Sequence, residues 1–271
     1  MQPTSGNKPR ITIIGLGWLG QALAMRWQQH GGQVFGSCRT AEKRTQLQQQ
    51  GVSAFTWQSG EPVELPSADC LVLTLPPSTF AATGTADYVS ALAQCVQAAA
   101  DKGYRQVIQI SSTGVYGRQD SGRDDQPIHP DSERGQLLWR AEQAIRQGPL
   151  PWTILRSAGQ IGPGRHPGRF LAGKTVSDGG APVNLVHQQD LVTVLCALLE
   201  RPCPGETFNL CAPDHPSREQ FYTAACAAAG LPIPVFRDQS TLGLSIDGRR
   251  VMEVVGCHYA VTDLMAWLSV S

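Results

Sequence analysis

The chain has 271 residues, 41% of them hydrophobic, with 22 basic against 22 acidic side chains and a formal net charge of +0 at pH 7. That length and apolar content suit one large α/β domain, or a domain with an appendage. The balanced charge offers no electrostatic footing for nucleic acid or an anionic membrane, and no apolar run approaches the length of a bilayer span.

The tail Met1–Arg10 is polar, carries two prolines and does not read as a signal peptide. None of the eight cysteines forms a CxxC, and the six histidines give no HExxH. Buried, reduced thiols in a cytoplasmic protein without a metal site are the expectation.

The first predicted strand is Ile11–Ile14, and it runs into Gly15-Leu16-Gly17-Trp18-Leu19-Gly20 ahead of a helix over Trp18–Gln29. A GxGxxG between strand and helix suits a dinucleotide. The first glycine permits the turn, the second lets backbone approach a pyrophosphate, and the third lets helix pack on strand. The helix N-terminus then faces the phosphates with the positive end of its dipole. Glycine-rich turns also occur for purely structural reasons, so the motif's position carries the inference.

Strand Gln33–Ser37, helix Ala41–Gln50 and strand Val52–Trp57 come next, followed by an apolar strand Cys70–Leu75 typical of a buried parallel sheet. Helix Thr85–Lys102, strand Val107–Ile110, helix Gly135–Arg146 and strand Thr153–Leu155 keep the alternation. The fold class is therefore α/β, a Rossmann-type doubly wound parallel sheet. Beyond Arg156 the pattern loosens. Strand Val183–Val186, helix Asp190–Leu199, strand Thr207–Leu210, a helix Ser217–Ala229 capped by Ser217, and two short helical pieces around Gly256 are expected. Residues 1–160 read as a nucleotide-binding domain, with 183–211 returning to the sheet. Residues 161–271 read as an interleaved, smaller substrate-side lobe.

In such folds a carboxylate roughly 20 residues past the glycine turn grips the NAD ribose, whereas an arginine accommodates the 2′-phosphate of NADP. From Gly31 to Ala41 there is no carboxylate, and the second strand is followed by Arg39. A guanidinium offers a phosphate a permanently charged fork. NADP is favoured over NAD, the alternative being a solvated Arg39 beside NAD.

Ser111-Ser112-Thr113-Gly114-Val115-Tyr116-Gly117 follows the fifth strand. Leu155-Arg156 through Gly162-Pro163-Gly164, Val186-His187-Gln188-Gln189-Asp190 and Phe208-Asn209-Leu210 follow in order. With these segments the chain resembles the extended short-chain dehydrogenase/reductase family of NAD-dependent epimerases and dehydratases. The glycine turn and Gly162-Pro-Gly-Arg-His-Pro-Gly-Arg-Phe170 are more similar still to its atypical YeeZ-like subgroup. The resemblance implies that Ser112 orients a substrate carbonyl and that Ser111 and Arg156 join Gly15–Gly20 and Arg39 at the cofactor. It also implies a homodimer paired through the helices Thr85–Lys102 and Gly135–Arg146.

The family's Tyr-x-x-x-Lys pair, in which the lysine makes the phenol a usable acid/base, is missing. Four residues after the five tyrosines stand Leu92, Ile108, Asp120, Cys226 and Asp263, and Arg134 and Leu138 occupy the family positions when Glu142 is placed in register. A guanidinium cannot shuttle the proton. Tyr116 is a candidate catalytic residue by its nearness to Ser112, or else a packing tyrosine of its turn. His187 titrates in a useful range, while Asp190 reads as a cap of the helix it begins. Arg165, His166 and Arg169, on a loop stiffened by proline, form either an anion site for a substrate phosphate or carboxylate, or an exposed basic loop. His187 joins them as a substrate-binding candidate, with Arg249 and Arg250 more distant ones. Three functions stand: an NAD(P)-dependent oxidoreductase or epimerase-like enzyme on a small anionic or sugar-derived substrate, a catalytically inactive NADP(H)-binding sensor or scaffold, and a structural dimerisation module with incidental glycines.

Overall fold

A computed structural model describes residues 8–80 and 85–270. The tail expected over Met1–Arg10 lies outside them as far as residue 7.

The elements in chain order begin with β1 (Ile11–Ile14), α1 (Trp18–Gln29), β2 (Val34–Cys38), α2 (Ala41–Gln49), β3 (Ser53–Thr56), β4 (Cys70–Leu73), α3 (Thr85–Asp101), β5 (Gln106–Ser112), α4 (Glu133–Arg146) and β6 (Trp152–Ser157). After them come β7 (Gly159–Ile161), α5 (Gly168–Leu171), β8 (Thr175–Val176), β9 (Leu185–His187), α6 (Gln188–Glu200), β10 (Glu206–Leu210), α7 (Arg218–Ala228), β11 (Val235–Phe236), α8 (Arg249–Val255) and α9 (Leu264–Leu268).

Seven strands form one sheet in the order β10-β6-β5-β4-β1-β2-β3. The pairs β1–β2, β1–β4, β2–β3 and β4–β5 are parallel. Strand order reverses between β1 and β4, which is where ligands of open α/β sheets gather. The apolar character of β4, and of β1 apart from Thr12, follows from this place, since every residue of both strands is buried.

The chain divides into two compact units. One holds the described residues up to Ser111 with Gln136–Leu155 and Leu195–Thr207; the other holds Ser112–Gly135, Arg156–Val194 and the described residues from Phe208 on. In the first unit Ile14, Leu71, Leu73 and Val107 pack with Leu92 and Val96 of α3 and Leu137, Ala141 and Ile145 of α4. In the second, Ile161, Val183, Leu185, Phe221, Ala225, Leu264 and Leu268 form the core.

Helix ends match the chemistry of their flanking residues. Thr40, Ser217 and Asp263 each accept a backbone N–H from the first turn of α2, α7 and α9, and α8 ends on Gly256 at φ 67°. The strand expected at Val183–Val186 is displaced by one to two residues, and β9 pairs in parallel with β7 as a separate ribbon. The parallel pair β8–β11 had no legible pattern because each strand has only two residues. Among the described residues no helix is long and apolar enough to cross a membrane.

Candidate functional site

The glycine turn has three different environments at its three glycines. Gly15 lies at φ 105°, which an L side chain rarely adopts, and its carbonyl accepts the Thr74 hydroxyl at 2.6 Å. A Cβ at Gly20 would strike the Gly15 carbonyl oxygen, whereas one at Gly17 would meet nothing nearer than 4.0 Å. Gly17 is thus the exposed, open position. Leu16 and Leu19 are buried, and Leu16 packs over Gly36, where any side chain would collide with it. Helix α1 begins at Trp18 with no side-chain cap and no acidic residue in its first turn. These features fit a dinucleotide pyrophosphate: an open backbone approach beside an uncapped helix dipole.

Ser37 ties β2 to this turn, its hydroxyl accepting from Gly15 N at 3.0 Å and its carbonyl from Leu16 N at 2.8 Å. Arg39, one residue past β2, is exposed. Lys43 was not foreseen: its Nζ donates to Gln21 Oε1 at 3.0 Å, and the Gln21 amide donates to the carbonyls of Leu16 and Gly17 at 3.0 and 3.1 Å. A second cation is thereby anchored beside the turn. Burial raises the pKa of the nearby Cys38 thiol, while Arg44 and Lys43 draw it down. The signal for Lys43 was available in its place on the first turn of the helix that follows Arg39.

Strand β5 ends on Ser111 and Ser112. Ser111 is buried and donates to Glu142 Oε1 at 2.7 Å. The Ser112 oxygen accepts from Gly114 N at 3.1 Å, capping the short 3-10 turn that follows. A hydroxyl used as an acceptor still has its proton to donate. Leu138, expected at the family's lysine position, is buried, and Arg134 is exposed.

Tyr116 is buried in a polar network of the second unit. Its hydroxyl donates to Asn209 Oδ1 at 2.8 Å and accepts from Arg156 Nη1 at 3.1 Å, with the guanidinium also 5.1 Å from the ring centroid. Burial pushes the phenol pKa up, against the pull of Arg156. Both features hinder proton exchange. Asn209 is fully buried and donates from Nδ2 to the carbonyls of Gly122 and Asp247 at 2.9 and 3.2 Å. Asp124 accepts from Asn209 N at 2.7 Å and from Arg250 Nε at 2.9 Å, and Arg249 makes a two-pronged pair with Asp247 at 3.0 and 2.7 Å. Arg249 and Arg250 are therefore committed to carboxylates.

Gly162-Pro163-Gly164-Arg165 forms a tight turn, closed by Arg165 N donating to Gly162 O at 2.9 Å, with Gly164 at φ 72°. Proline followed by a positive-φ glycine is the composition of a type II turn. Arg165 and Arg169 are exposed, and His166 and His187 are half-buried. The ring of Trp267 brings the two imidazoles together, with centroids 6.3 Å from His166 and 5.6 Å from His187. Burial lowers the pKa of both histidines, and the Arg169 charge adds to the effect on His166. No local pattern could have revealed Trp267, which reaches the cluster only through the fold of α9. Asp190 does not cap its own helix as expected. Its buried carboxylate accepts from Ala260 N at 2.7 Å and Val261 N at 3.4 Å, pinning a distant segment, and burial raises its pKa.

Residues 10–99, which contain the glycine turn and Arg39, match the family model described as NADP oxidoreductase coenzyme F420-dependent. Protein YeeZ of Escherichia coli strain K12 is 37% identical over 268 residues, spanning 94% of this chain and 97% of its own. A functionally unknown conserved protein from Silicibacter pomeroyi DSS superposes with a TM-score of 0.78 at 24% identity, over 96% of this chain and 97% of that one. The Bordetella bronchiseptica enzyme WbmG, in complex with NAD and UDP, superposes with a TM-score of 0.74 at 17% identity, over 97% and 94%. At those identities the two structures speak for the fold. Together with the sequence match across almost the full length, they show that the chain belongs to the YeeZ family, built on the fold of the short-chain dehydrogenases/reductases.

Proposed function

We propose that the protein binds NADP(H) at the glycine turn and acts as an oxidoreductase or epimerase-like enzyme on a small anionic or sugar-derived substrate in the cytoplasm. The observation that carries this reading is the contrast between Gly20, closed by the Gly15 carbonyl, and Gly17, open beside an uncapped helix. A purely structural turn has no need of the second glycine. NADP is preferred to NAD because exposed Arg39 and anchored Lys43 supply cations, and no carboxylate stands from Gly31 to Ala41. The description of the matched family model points the same way, while the structural relative WbmG holds NAD.

Held at the turn of Gly15–Gly20, a nicotinamide cofactor would supply hydride transfer to or from a substrate carbonyl. Ser112 holds the substrate carbonyl with the proton it retains, and Arg165 and Arg169 hold the substrate's anion. Tyr116 is already bonded to Asn209 and Arg156, so we assign the proton to water. The second reading is a catalytically inactive NADP(H)-binding sensor or scaffold. It is favoured by the missing Tyr-x-x-x-Lys pair, with Leu138 turned into apolar packing.

The experiment is a calorimetric titration of nucleotide-free protein with NADPH and with NADH, followed by a carbonyl-substrate screen read by nicotinamide absorbance. Tight NADPH binding with turnover supports the enzyme. NADPH binding with no turnover across anionic carbonyl compounds favours the sensor, and binding of neither nucleotide ends both readings.

A further inference from the structure

The two imidazoles that flank Trp267 share one hydrogen-bonding sense. His166 Nδ1 accepts the N–H of Gly168 at 3.2 Å, and His187 Nδ1 accepts the N–H of Gln189 at 3.2 Å. A ring nitrogen that accepts an N–H carries no proton, so each neutral imidazole holds its proton on Nε2. The bonds anchor both rings at their Nδ1 edge to backbone that opens a helix, Gly168 of α5 and Gln189 of α6. The Nε2 edge of His187 faces the Gly162–Arg165 turn, since a Cβ on Gly162 would stand 3.2 Å from it. Arg165 and Arg169 can only donate, and so can the indole N–H of Trp267. The ring of Trp267 lies roughly parallel to that of His166, at 28°, and tilted by 56° to that of His187. Leu264 and Leu268, on either side of Trp267 in α9, are buried in the core of this unit.

We propose that Arg165, His166, Arg169 and His187 form an oxyanion site that takes a fully ionised phosphate or carboxylate through donors alone, with Trp267 as the positioning residue that fixes the two imidazoles. This deepens, and rests on, the reading of the 162–169 loop as the substrate's anion site. The chemistry follows from what the side chains lack. A neutral sugar hydroxyl brings a proton that needs an acceptor, and none of these four side chains offers one once Nδ1 is engaged. An ionised oxyanion brings only acceptors, and it meets charge-assisted donors on a turn stiffened by Pro163 and Pro167. Burial, which keeps the imidazoles neutral near pH 7, preserves the Nδ1 bonds that aim them.

Histidine-ring nitrogen–proton correlation spectra of the 15N-labelled full chain, assigned with His166→Asn and His187→Asn, test this at pH 7.5. Methyl phosphate, whose second pKa of about 6 leaves it a dianion without a P–OH, acetate and glucose are the probes, titrated at matched ionic strength. We expect both rings protonated at Nε2 and saturable shifts of both with methyl phosphate or acetate. Glucose should leave them still. Arg165→Gln with Arg169→Gln should weaken the response roughly tenfold or more, as loss of charge-assisted bonds requires. Trp267→Phe should weaken it while mixing the Nδ1–H tautomer into the spectra, which a merely structural role would not do. A proton on Nδ1 in the wild type, the absence of saturable shifts, or an equal response to glucose overturns the proposal. NADPH is titrated into the same samples. Its binding without an oxyanion response sinks this inference alone, and the converse sinks the cofactor reading alone.

Discussion

A Cβ on Gly20 would stand 2.3 Å from the carbonyl oxygen of Gly15, whereas one on Gly17 would have nothing within reach but that same oxygen at 4.0 Å. The two positions therefore answer differently to the same methyl group. Gly20→Ala forces helix from strand and should cost about 1–3 kcal/mol, as overpacking does. Gly17→Val should melt close to the wild type and lose NADPH affinity. Thermal denaturation paired with calorimetry checks both, and a Gly17→Val protein that binds normally would remove the turn from the site.

On the proposed reading, Arg39 and Lys43 would contact the 2′-phosphate of NADP. Arg39→Asp should lower NADPH affinity by about one to two orders of magnitude, the worth of a hydrogen bond to a charged group, and leave NADH affinity little changed or improved. Lys43→Gln should do the same more weakly. Equal losses for the two nucleotides would show that these cations do not read the phosphate.

The Tyr116–Asn209 bond predicts a loss of stability rather than of proton transfer. Tyr116→Phe leaves Asn209 Oδ1 and Arg156 short of a partner in a buried setting and should cost about 1–3 kcal/mol in chemical denaturation. If activity is found, its pH profile in Tyr116→Phe should keep the wild-type shape. A displaced limb would restore Tyr116 to catalysis.

His166 and His187 titrate below the ordinary histidine value of 6.5 in the folded chain. The unfolded chain thus binds more protons as pH falls through 6.5. Their contribution to stability is complete above that pH, drains away as the pH drops toward the folded values, and levels off below them. Melting temperatures from pH 7.5 to 5 should decline in the wild type and decline less in His187→Asn, whose amide oxygen can still accept the Gln189 N–H. Parallel slopes would contradict the assignment.

What was legible in the sequence is what local geometry writes there. The turn of Gly15–Gly20, the cap at Ser217 and the αL stop at Gly256 each follow from residues within a few positions of one another. The partners that decide the roles of Tyr116, Asp190 and His166 lie far along the chain. Tyr116 finds Asn209, Asp190 reaches Ala260, and His166 meets Trp267. Asp190 at the start of a helix looks like a cap by every local rule, yet its carboxylate is spent on another segment. Lys43 falls between the two cases, since only its bridge through Gln21 distinguishes it from a solvated helix lysine.

The division of the chain has a consequence for synthesis. Neither unit is continuous: the first is completed only by Leu195–Thr207, and the second is already begun at Ser112. A nascent chain emerging from the ribosome cannot finish one unit before starting the other, unlike proteins whose domains fold in sequence as they appear. Strands β5, β6 and β10 each contain a unit boundary, so cutting the gene at residue 160 would sever both units rather than free either.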